Sequence, residues 1–361
     1  MSAFDALRNV GFKVARRLQS APKPLVRAMR RHSRAQEHRA FRREAEAIDR
    51  EIAALAATAR PIVVGPWLAE VGYEVLYWIP FLRWFQDAFG IPPDRLIVVS
   101  RGGMESMYRD VAAGYVDIFD LTTPQQLASR NAQRRSEGEG GGQKQSATST
   151  LDEELIVAVR STRGLGDVAV CHPSLMFRLF RNVWHGNLPV DVFTTHTRYV
   201  TQRLDAPAIP GMPDDFIAVK LYAGPALTTG DSSRAAARAI VEQAARVAPV
   251  VLLETELGID EHRDFDLRGL ANVTSAAALM QPRTNLGVQL SLIARSRFFL
   301  GTCGGLAWVA PFLGVPTVAV YDTDAMLAPH LLLARRAGHD AGAAEFAPLD
   351  LRALDRVRLI E

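Results

Sequence analysis

The segment of residues 297–322 constrains the fold most, because strand, turn, helix and second strand follow one another with almost no connecting residues. Residues 298–300 form a short apolar run, which is typical of a strand covered on both faces in a parallel sheet. Apolar side chains then recur at helical spacing over residues 306–313, and residues 317–321 are apolar and rich in β-branched types. The segment therefore predicts one β-α-β unit of an α/β protein.

A glycine pair, Gly304 and Gly305, stands between the first strand and the helix of this unit. Backbone N–H groups at the start of a helix lie at the positive end of its dipole, and glycine leaves the approach to them open. A phosphate or diphosphate group fits such a turn. The alternative, that the two glycines serve only a tight connection, stays open because isolated glycine-rich turns are weak signals.

Two acidic residues, Glu70 and Glu74, interrupt the very apolar stretch of residues 67–85, which follows a predicted strand at residues 61–65. Burying a carboxylate is unfavourable unless it is paired or its pKa is raised, and a carboxylate with a raised pKa in a cleft is a typical general base. The alternative is that both residues lie in a loop or a first helical turn, where the helix dipole favours negative charge.

Charged side chains also mark the ends of other predicted strands. Lys220 lies inside the apolar run of residues 214–222, so it either sits at a sheet edge or faces an anion. Arg101 follows a predicted strand, where it contacts a charged ligand or solvent. His172 follows the strand at residues 167–171, at the carboxyl end where open α/β sheets bind ligands. Arg101 and His172 are therefore candidates for a binding site.

The run from Thr302 to Trp308 resembles the nucleotide-sugar segment of the ADP-heptose:lipopolysaccharide heptosyltransferases, a family with the two-domain GT-B fold. That family has Asp, a small hydroxyl residue, Gly, two further residues and His before a helix that ends in a Gly-x-Pro pattern. Gly305 matches the family glycine and Gly304 the hydroxyl residue. Cys303 stands where the family has Asp, and Trp308 stands where it has His.

The same family has Gly-Asp, five residues and then Pro at the start of its first helix, and the Asp is its general base. Counting back from Pro80 places Glu74 at the Asp and Tyr73 at the glycine, with Gly72 next to it. The resemblance implies that Glu74 deprotonates the acceptor hydroxyl, with Glu70 as the second candidate. Donor or phosphate contacts are predicted for Lys220, Thr302, Cys303, Gly304, Gly305 and Trp308. Acceptor contacts are predicted for Gly72, Tyr73, Arg101 and His172.

These patterns predict an α/β chain of two Rossmann-like domains in the GT-B arrangement, with an N-terminal helical arm. The predicted divisions are an arm at residues 1–58, an acceptor domain at 59–205 with a mobile insertion at 129–149, a nucleotide-sugar domain at 214–335 and a tail at 336–361. A length of 361 residues with 48% hydrophobic residues suits two ordinary domains.

The function that the resemblance implies is a metal-independent, inverting glycosyltransferase, which moves a sugar from a nucleotide-sugar donor to a saccharide or glycolipid acceptor. It needs no cofactor, because the nucleotide sugar is a substrate. Three alternatives stay open: a nucleotide-sugar epimerase of the same fold, a non-catalytic module that binds a sugar or phosphate, and a membrane-attached scaffold. The acidic loop of Asp260, Glu261, His262 and Asp264 has no standard metal spacing and is predicted to be a surface loop.

Composition favours a cytoplasmic protein. No run approaches the roughly 18 uncharged apolar residues of a membrane span. Basic residues interrupt any secretory signal at the N-terminus. The two cysteines, Cys171 and Cys303, are far apart and indicate neither a disulfide framework nor a zinc site.

The N-terminal arm carries most of the positive charge. Residues 1–43 hold twelve Lys or Arg against two acidic residues, a net charge of +10, while the rest of the chain carries −7. A basic amphipathic helix of this kind binds the anionic inner face of a membrane, or else is a solvated tail. Aromatic residues are too sparse to favour nucleic acid. An apolar stripe at residues 41–55 predicts either a homodimer contact or docking on the body of the protein.

Overall fold

Two parallel β-sheets organise the computed structural model, which describes residues 23–138, 145–258, 262–323 and 328–354. The strands of the first sheet are β1 Ile62–Val64, β2 Leu96–Ser100, β3 Gly114–Asp117 and β4 Ala169–Cys171. They lie in the order β3-β2-β1-β4, and all of them are parallel. Their short, mostly buried apolar runs are what a sheet with helices on both faces requires.

The second sheet has six parallel strands. They are β5 Ile217–Lys220, β7 Val250–Leu252, β9 Val273–Ser275, β10 Phe298–Thr302, β11 Thr317–Tyr321 and β12 Phe346–Asp350, and a short antiparallel pair, β6 Tyr222–Ala223 with β8 Arg263–Asp264, lies beside them. The spatial order is β12-β11-β10-β5-β7-β9. Numbered within the sheet this is the doubly wound order 3-2-1-4-5-6, which has a switch point between β5 and β10. The predicted α/β class with two Rossmann-like domains is confirmed.

Helices connect the strands and cover the sheets. They are α1 Lys23–Ala56, α2 Val71–Tyr73 continued by a π-helical turn Glu74–Trp78 and by Ile79–Phe89, α3 Pro124–Ser136, α4 Thr150–Thr162, α5 Ser174–Trp184, α6 Asp191–Thr195, α7 Asp231–Val247, α8 Asn285–Arg295, α9 Gly305–Val309 continued by a 3₁₀ turn Ala310–Leu313, α10 Ala328–Ala341 and α11 Leu351–Leu354. Further 3₁₀ turns are Pro93–Arg95, Met104–Tyr108, Ile118–Asp120 and Ala277–Leu279. Within the described residues, no helix is both long enough and apolar enough to cross a bilayer.

The β-α-β unit predicted from residues 297–322 is present as β10, α9 and β11. Gly304 has φ +117° and Gly305 has φ +44°, both in the region that other residues rarely adopt. Glycine is therefore required here by the backbone itself, because the chain reverses from strand to helix within two residues.

The segment of residues 129–149, predicted to be a mobile insertion, includes the second half of α3 and residues packed on the first domain, while residues 139–144 lie outside the described residues. Helix α3 begins at Thr123 with a capping box and covers the first part of the segment. Gln145 is fully buried, and its side chain bonds to the backbone of the segment that follows β1. Ser149 then caps helix α4.

Part of the predicted tail at residues 336–361 belongs to the second domain. Residues Phe346–Asp350 form β12 and pair in register with β11, so the second sheet extends beyond residue 335. Helix α10 precedes this strand and contacts the first domain through His330, whose imidazole lies against Tyr73 and Tyr77. Residues 355–361 lie outside the described residues.

The helical arm is observed as α1, and its C-terminal half docks on the first domain. Ile48 and Ile52 are buried, and the helix packs against α5. Ion pairs from Glu44 to Arg181 (2.5 Å) and from Glu51 to Arg178 (2.7 Å) flank this contact. The docking alternative is therefore observed for Ile48 and Ile52, whereas Phe41, Ala45 and Leu55 are only partly buried, and a homodimer contact through residues 41–55 stays a prediction.

Membrane docking through residues 1–43 stays a prediction, because residues 1–22 lie outside the described residues. In the described part of the arm, Arg39, Arg42 and Arg43 are exposed. Binding to anionic but not to zwitterionic vesicles is the measurement that tests it.

We expect Ile52→Ala to lower the free energy of unfolding by about 2 to 5 kcal/mol, because it leaves a cavity under α1. Urea denaturation followed by circular dichroism measures this loss. The exposed Glu46 on the same helix provides the control Glu46→Ala, for which no comparable loss is expected. Because the contact lies within one chain, the urea concentration at the unfolding midpoint should not depend on protein concentration. A clear dependence would indicate a dimer instead.

Candidate active site between the two domains

A cavity of about 340 Å³ lies between the carboxyl ends of strands in the second sheet and the start of α2 in the first domain. It lies at the switch point of the second sheet, where doubly wound sheets bind their ligands. Both domains contribute to its wall, including the residues Glu70, Lys220, Tyr222, Glu254, His262 and Gly305.

The glycine turn reaches this cavity through Gly305, but neighbouring groups enclose it closely. A Cβ added at Gly305 would lie 2.9 Å from the Tyr222 hydroxyl oxygen. On the other side, a Cβ added at Gly72 would lie 2.7 Å from the Gly305 backbone nitrogen. Gly72, a predicted acceptor residue, thus forms a domain contact, and the Tyr222 hydroxyl lies next to the glycine turn.

Three other predicted donor residues point into the protein. The Thr302 hydroxyl donates to the Tyr222 carbonyl (2.8 Å) and accepts from the Tyr222 N–H (2.9 Å). Burial raises the pKa of the Cys303 thiol to about 12, so the thiol stays neutral. Trp308 is 4% exposed and packs edge-on against Tyr73. None of these three residues lines the cavity, so donor contacts through their side chains stay a prediction.

Carboxylates compensate the positive charges of two side chains in the cavity wall, Lys220 and Arg268. Lys220 Nζ lies 2.8 Å from Asp264 Oδ1, and both side chains are largely buried. Arg268 forms ion pairs with Glu256 (2.9 Å) and with Asp266 (3.3 Å). A phosphate group that binds Lys220 or Arg268 therefore competes with these carboxylates.

The two candidate bases occupy different surroundings. The Glu74 carboxylate is buried and accepts hydrogen bonds from Ser100 (2.5 Å) and Tyr108 (2.6 Å) through Oε1. Burial raises its pKa to about 7, and it does not line the cavity. Glu70 stands just before α2, lines the cavity, and has Oε1 3.8 Å from His262 Nε2. The geometry thus favours the second candidate, Glu70, over Glu74.

The remaining predicted acceptor residues do not line the cavity. Tyr73 Oη lies 3.2 Å from His330 Nε2, and burial raises the pKa of the Tyr73 hydroxyl well above its ordinary value. Arg101 is buried and donates to a backbone carbonyl beside α2. His172 is buried with Nε2 3.5 Å from Asp152 Oδ1. Arg101 and His172 contact groups of the first domain, whereas Tyr73 joins the two domains, and the structure does not gather the three side chains into one binding site.

The acidic loop, predicted to be a surface loop, reaches the cavity instead. Asp260 and Glu261 lie outside the described residues, but His262 and Asp264 line the wall, because β8 pairs with β6 and carries the loop back. The His262 ring lies 4.4 Å from the Tyr222 ring. Within the described part of the chain, no group of His, Cys, Asp and Glu forms a metal site.

Tyr222, Glu254 and His262 were not predicted as site residues. Glu254 follows the second strand of the sheet, β7, and the order of the strands is the signal that marks this position. Tyr222 and His262 had no local signal, because their place depends on the pairing of β6 with β8.

Neither a protein-family model nor any curated protein matches the chain. Among solved structures, it is similar to Escherichia coli heptosyltransferase WaaC with ADP, at 15% identity over 74% of this chain and 89% of that one, with a TM-score of 0.38. A glycosyl transferase family 9 protein from Veillonella parvula is similar at 15% identity over 72% of this chain and 80% of that one, with a TM-score of 0.38. A UDP-N-acetylglucosamine 2-epimerase is similar at 16% identity over 82% of this chain and 86% of that one, with a TM-score of 0.32. Because the identities and TM-scores are this low, the function has to be inferred from the cavity itself.

The raised pKa of Glu74 predicts a dependence of stability on pH. Its pKa is about 7 in the fold against an ordinary 4.5, so its stabilising contribution is complete below about pH 4.5 and is lost as the pH rises to about 7. Glu74→Gln resembles the protonated acid, so the variant should gain up to about 3 kcal/mol relative to the parent between these pH values.

Urea unfolding at a series of pH values measures this difference. The exposed Glu105 gives the control Glu105→Gln, whose free energy of unfolding should equal that of the parent protein at each pH. If Glu74→Gln also follows the parent at every pH, the buried carboxylate does not titrate as argued.

Proposed function

We propose that the cavity binds a nucleotide sugar and that the protein is a metal-independent, inverting glycosyltransferase. The observation that carries this proposal is the position of the cavity. It lies at the switch point of a 3-2-1-4-5-6 sheet and is closed on its other side by a carboxylate of the first domain, Glu70. This arrangement provides one domain for the donor and another for the acceptor.

The nucleotide end of the donor is assigned to the side of the cavity near β7. Glu254 is 8% exposed and accepts a hydrogen bond from Ser275 (2.5 Å), while it still lines the cavity. An acidic residue near the end of the second strand binds ribose hydroxyls in many doubly wound sheets. Lys220, Arg263 and Arg268 supply positive charge for the diphosphate, which leaves with increased negative charge during transfer.

The proton of the acceptor is assigned to Glu70. Its side chain is 48% exposed, so the carboxylate remains accessible to a hydroxyl group in the cavity. A single base supports a single displacement, in which the acceptor oxygen attacks the anomeric carbon from the face opposite the diphosphate. Such a displacement inverts the configuration at that carbon.

We expect a nucleoside diphosphate to raise the thermal midpoint of the protein, because a ligand at 100 times its Kd adds about 2.7 kcal/mol. ADP, UDP, GDP, TDP and the corresponding nucleosides are the probes. Glu254→Gln keeps an acceptor for Ser275 but loses the charge, and should weaken binding roughly 10- to 100-fold by calorimetry. Glu105→Gln is the matched control. If no diphosphate binds to the parent protein, the proposed function is wrong.

An epimerase is the second candidate, because Glu70, Glu254, Glu256 and His262 surround one cavity. Several acid–base groups around one sugar suit the removal and return of a proton on the sugar itself. Incubating the protein with labelled nucleotide sugars distinguishes the two functions. A transferase releases nucleoside diphosphate, to water or to an added acceptor, whereas an epimerase yields an isomeric nucleotide sugar and releases no diphosphate at the rate of isomer formation.

A further inference from the structure

The geometry points to Gln289 as a specificity-determining residue whose carboxamide binds a hydroxyl group of the sugar, an assignment that rests on the proposed binding of a nucleotide sugar. Gln289 lies on α8 and lines the cavity together with Asn285, which precedes it by one turn on the same face of the helix. The two residues are only 3% and 8% exposed. Two carboxamides thus form a largely buried polar strip in the cavity wall.

The Gln289 side chain uses its donor within the helix and leaves its acceptor unused. Nε2 donates to the Asn285 backbone carbonyl (3.2 Å) and lies 3.4 Å from Asn285 Oδ1. Among the residues that the structure describes, none donates a hydrogen bond to Gln289 Oε1. An acceptor without a partner is unfavourable in a largely buried residue, and a ligand hydroxyl can donate to it. Gln289 Oε1 is therefore available to a ligand in the cavity.

Helix α8 borders the cavity on the side of the first domain. The Gly287 N–H donates to the Gly102 carbonyl (2.9 Å), and a Cβ on Gly102 would lie 2.9 Å from Asn285 Nδ2. The cations assigned to the diphosphate come instead from the end of β5 and from the segment that follows β7. In a transfer the sugar lies between the diphosphate and the acceptor, which the first domain binds. Helix α8 is therefore placed to contact the sugar.

The neighbours of the two carboxamides suit a sugar ring. The part of the cavity wall that α8 and α9 supply carries no charge and consists of Asn285, Leu286, Gln289, Gly305 and Leu306. A sugar ring combines apolar C–H groups with hydroxyl groups, and apolar side chains beside a few placed polar groups match both. This wall therefore fits an uncharged sugar better than an ionised group.

We expect Gln289→Met to weaken the binding of the nucleotide sugar about 10-fold, because methionine has a similar length but offers no comparable acceptor. The Kd of the corresponding nucleoside diphosphate should stay within about twofold. Calorimetry with ADP-glucose, UDP-glucose, GDP-mannose and TDP-glucose, each beside its own nucleoside diphosphate, measures the two effects. The exposed Gln243 gives the control Gln243→Met, which should leave both Kd values unchanged.

Monodeoxy analogues of the nucleotide sugar that binds most tightly provide a second measurement, which begins with the parent protein and needs no variant. The analogue that lacks the hydroxyl bound by Gln289 should lose about 10-fold in affinity for the parent. For Gln289→Met, the same analogue and the complete sugar should bind within about twofold of each other, because the contact is already absent.

Three results would overturn the assignment. The first is an equal weakening of diphosphate and nucleotide sugar by Gln289→Met, which would place the carboxamide at the nucleotide. The second is an unchanged Kd for both ligands, and the third is equal affinity of the parent for the complete sugar and every monodeoxy analogue. The proposed function survives each of them, because it fails only if the parent protein binds no nucleoside diphosphate.

Discussion

The two domains approach each other backbone to backbone at places where only glycine leaves room, and the cavity depends on this approach. At one place Gly72 lies against Gly305, and a Cβ on Gly72 would come within 2.7 Å of a backbone nitrogen. At another, the Gly287 N–H donates to the Gly102 carbonyl (2.9 Å), and a Cβ on Gly287 would lie 2.8 Å from the Gly103 carbonyl oxygen. The distance between the domains is thus set by main-chain contact, which long side chains do not adjust.

An aromatic cluster beside the first of these contacts keeps the domains together. The His330 imidazole of α10 lies between two tyrosines of α2, with Nδ1 2.5 Å from Tyr77 Oη and Nε2 3.2 Å from Tyr73 Oη. Trp308 and Trp184 pack around the same imidazole. Buried polar atoms need partners, and here each domain supplies partners for the other. Separation of the domains would therefore expose apolar rings and break hydrogen bonds together, which favours one fixed arrangement of the cavity wall.

The sequence predicted what is local and missed what depends on pairing between distant segments. The β-α-β unit of residues 297–322 follows from periodicity and glycines within a few turns of chain. The surroundings of Glu74 do not follow from the local sequence, because its hydrogen-bond partners come from other elements. Ser100 belongs to β2 and Tyr108 to the 3₁₀ turn Met104–Tyr108. His262 reaches the cavity only through the pairing of β6 with β8, which no local pattern indicates. Helix α3 had a local signal, the capping box of Thr123 and Gln126, but the prediction for residues 129–149 was drawn from their polar composition and did not use it.

Charge pairing inside the cavity restricts the ligands that can bind there. Lys220 is paired with Asp264, Arg268 with three carboxylates, and Glu70 faces His262. A simple anion that binds Lys220 or Arg268 competes with these carboxylates, although Asp264 also accepts from the Thr255 N–H and Glu254 from the Ser275 hydroxyl. A ligand that brings both phosphate groups and hydroxyl groups can satisfy both sides, because its phosphates replace the carboxylates and its hydroxyls donate to them. A nucleotide sugar carries these two kinds of group within one molecule, whereas inorganic phosphate or a simple sugar carries only one of them.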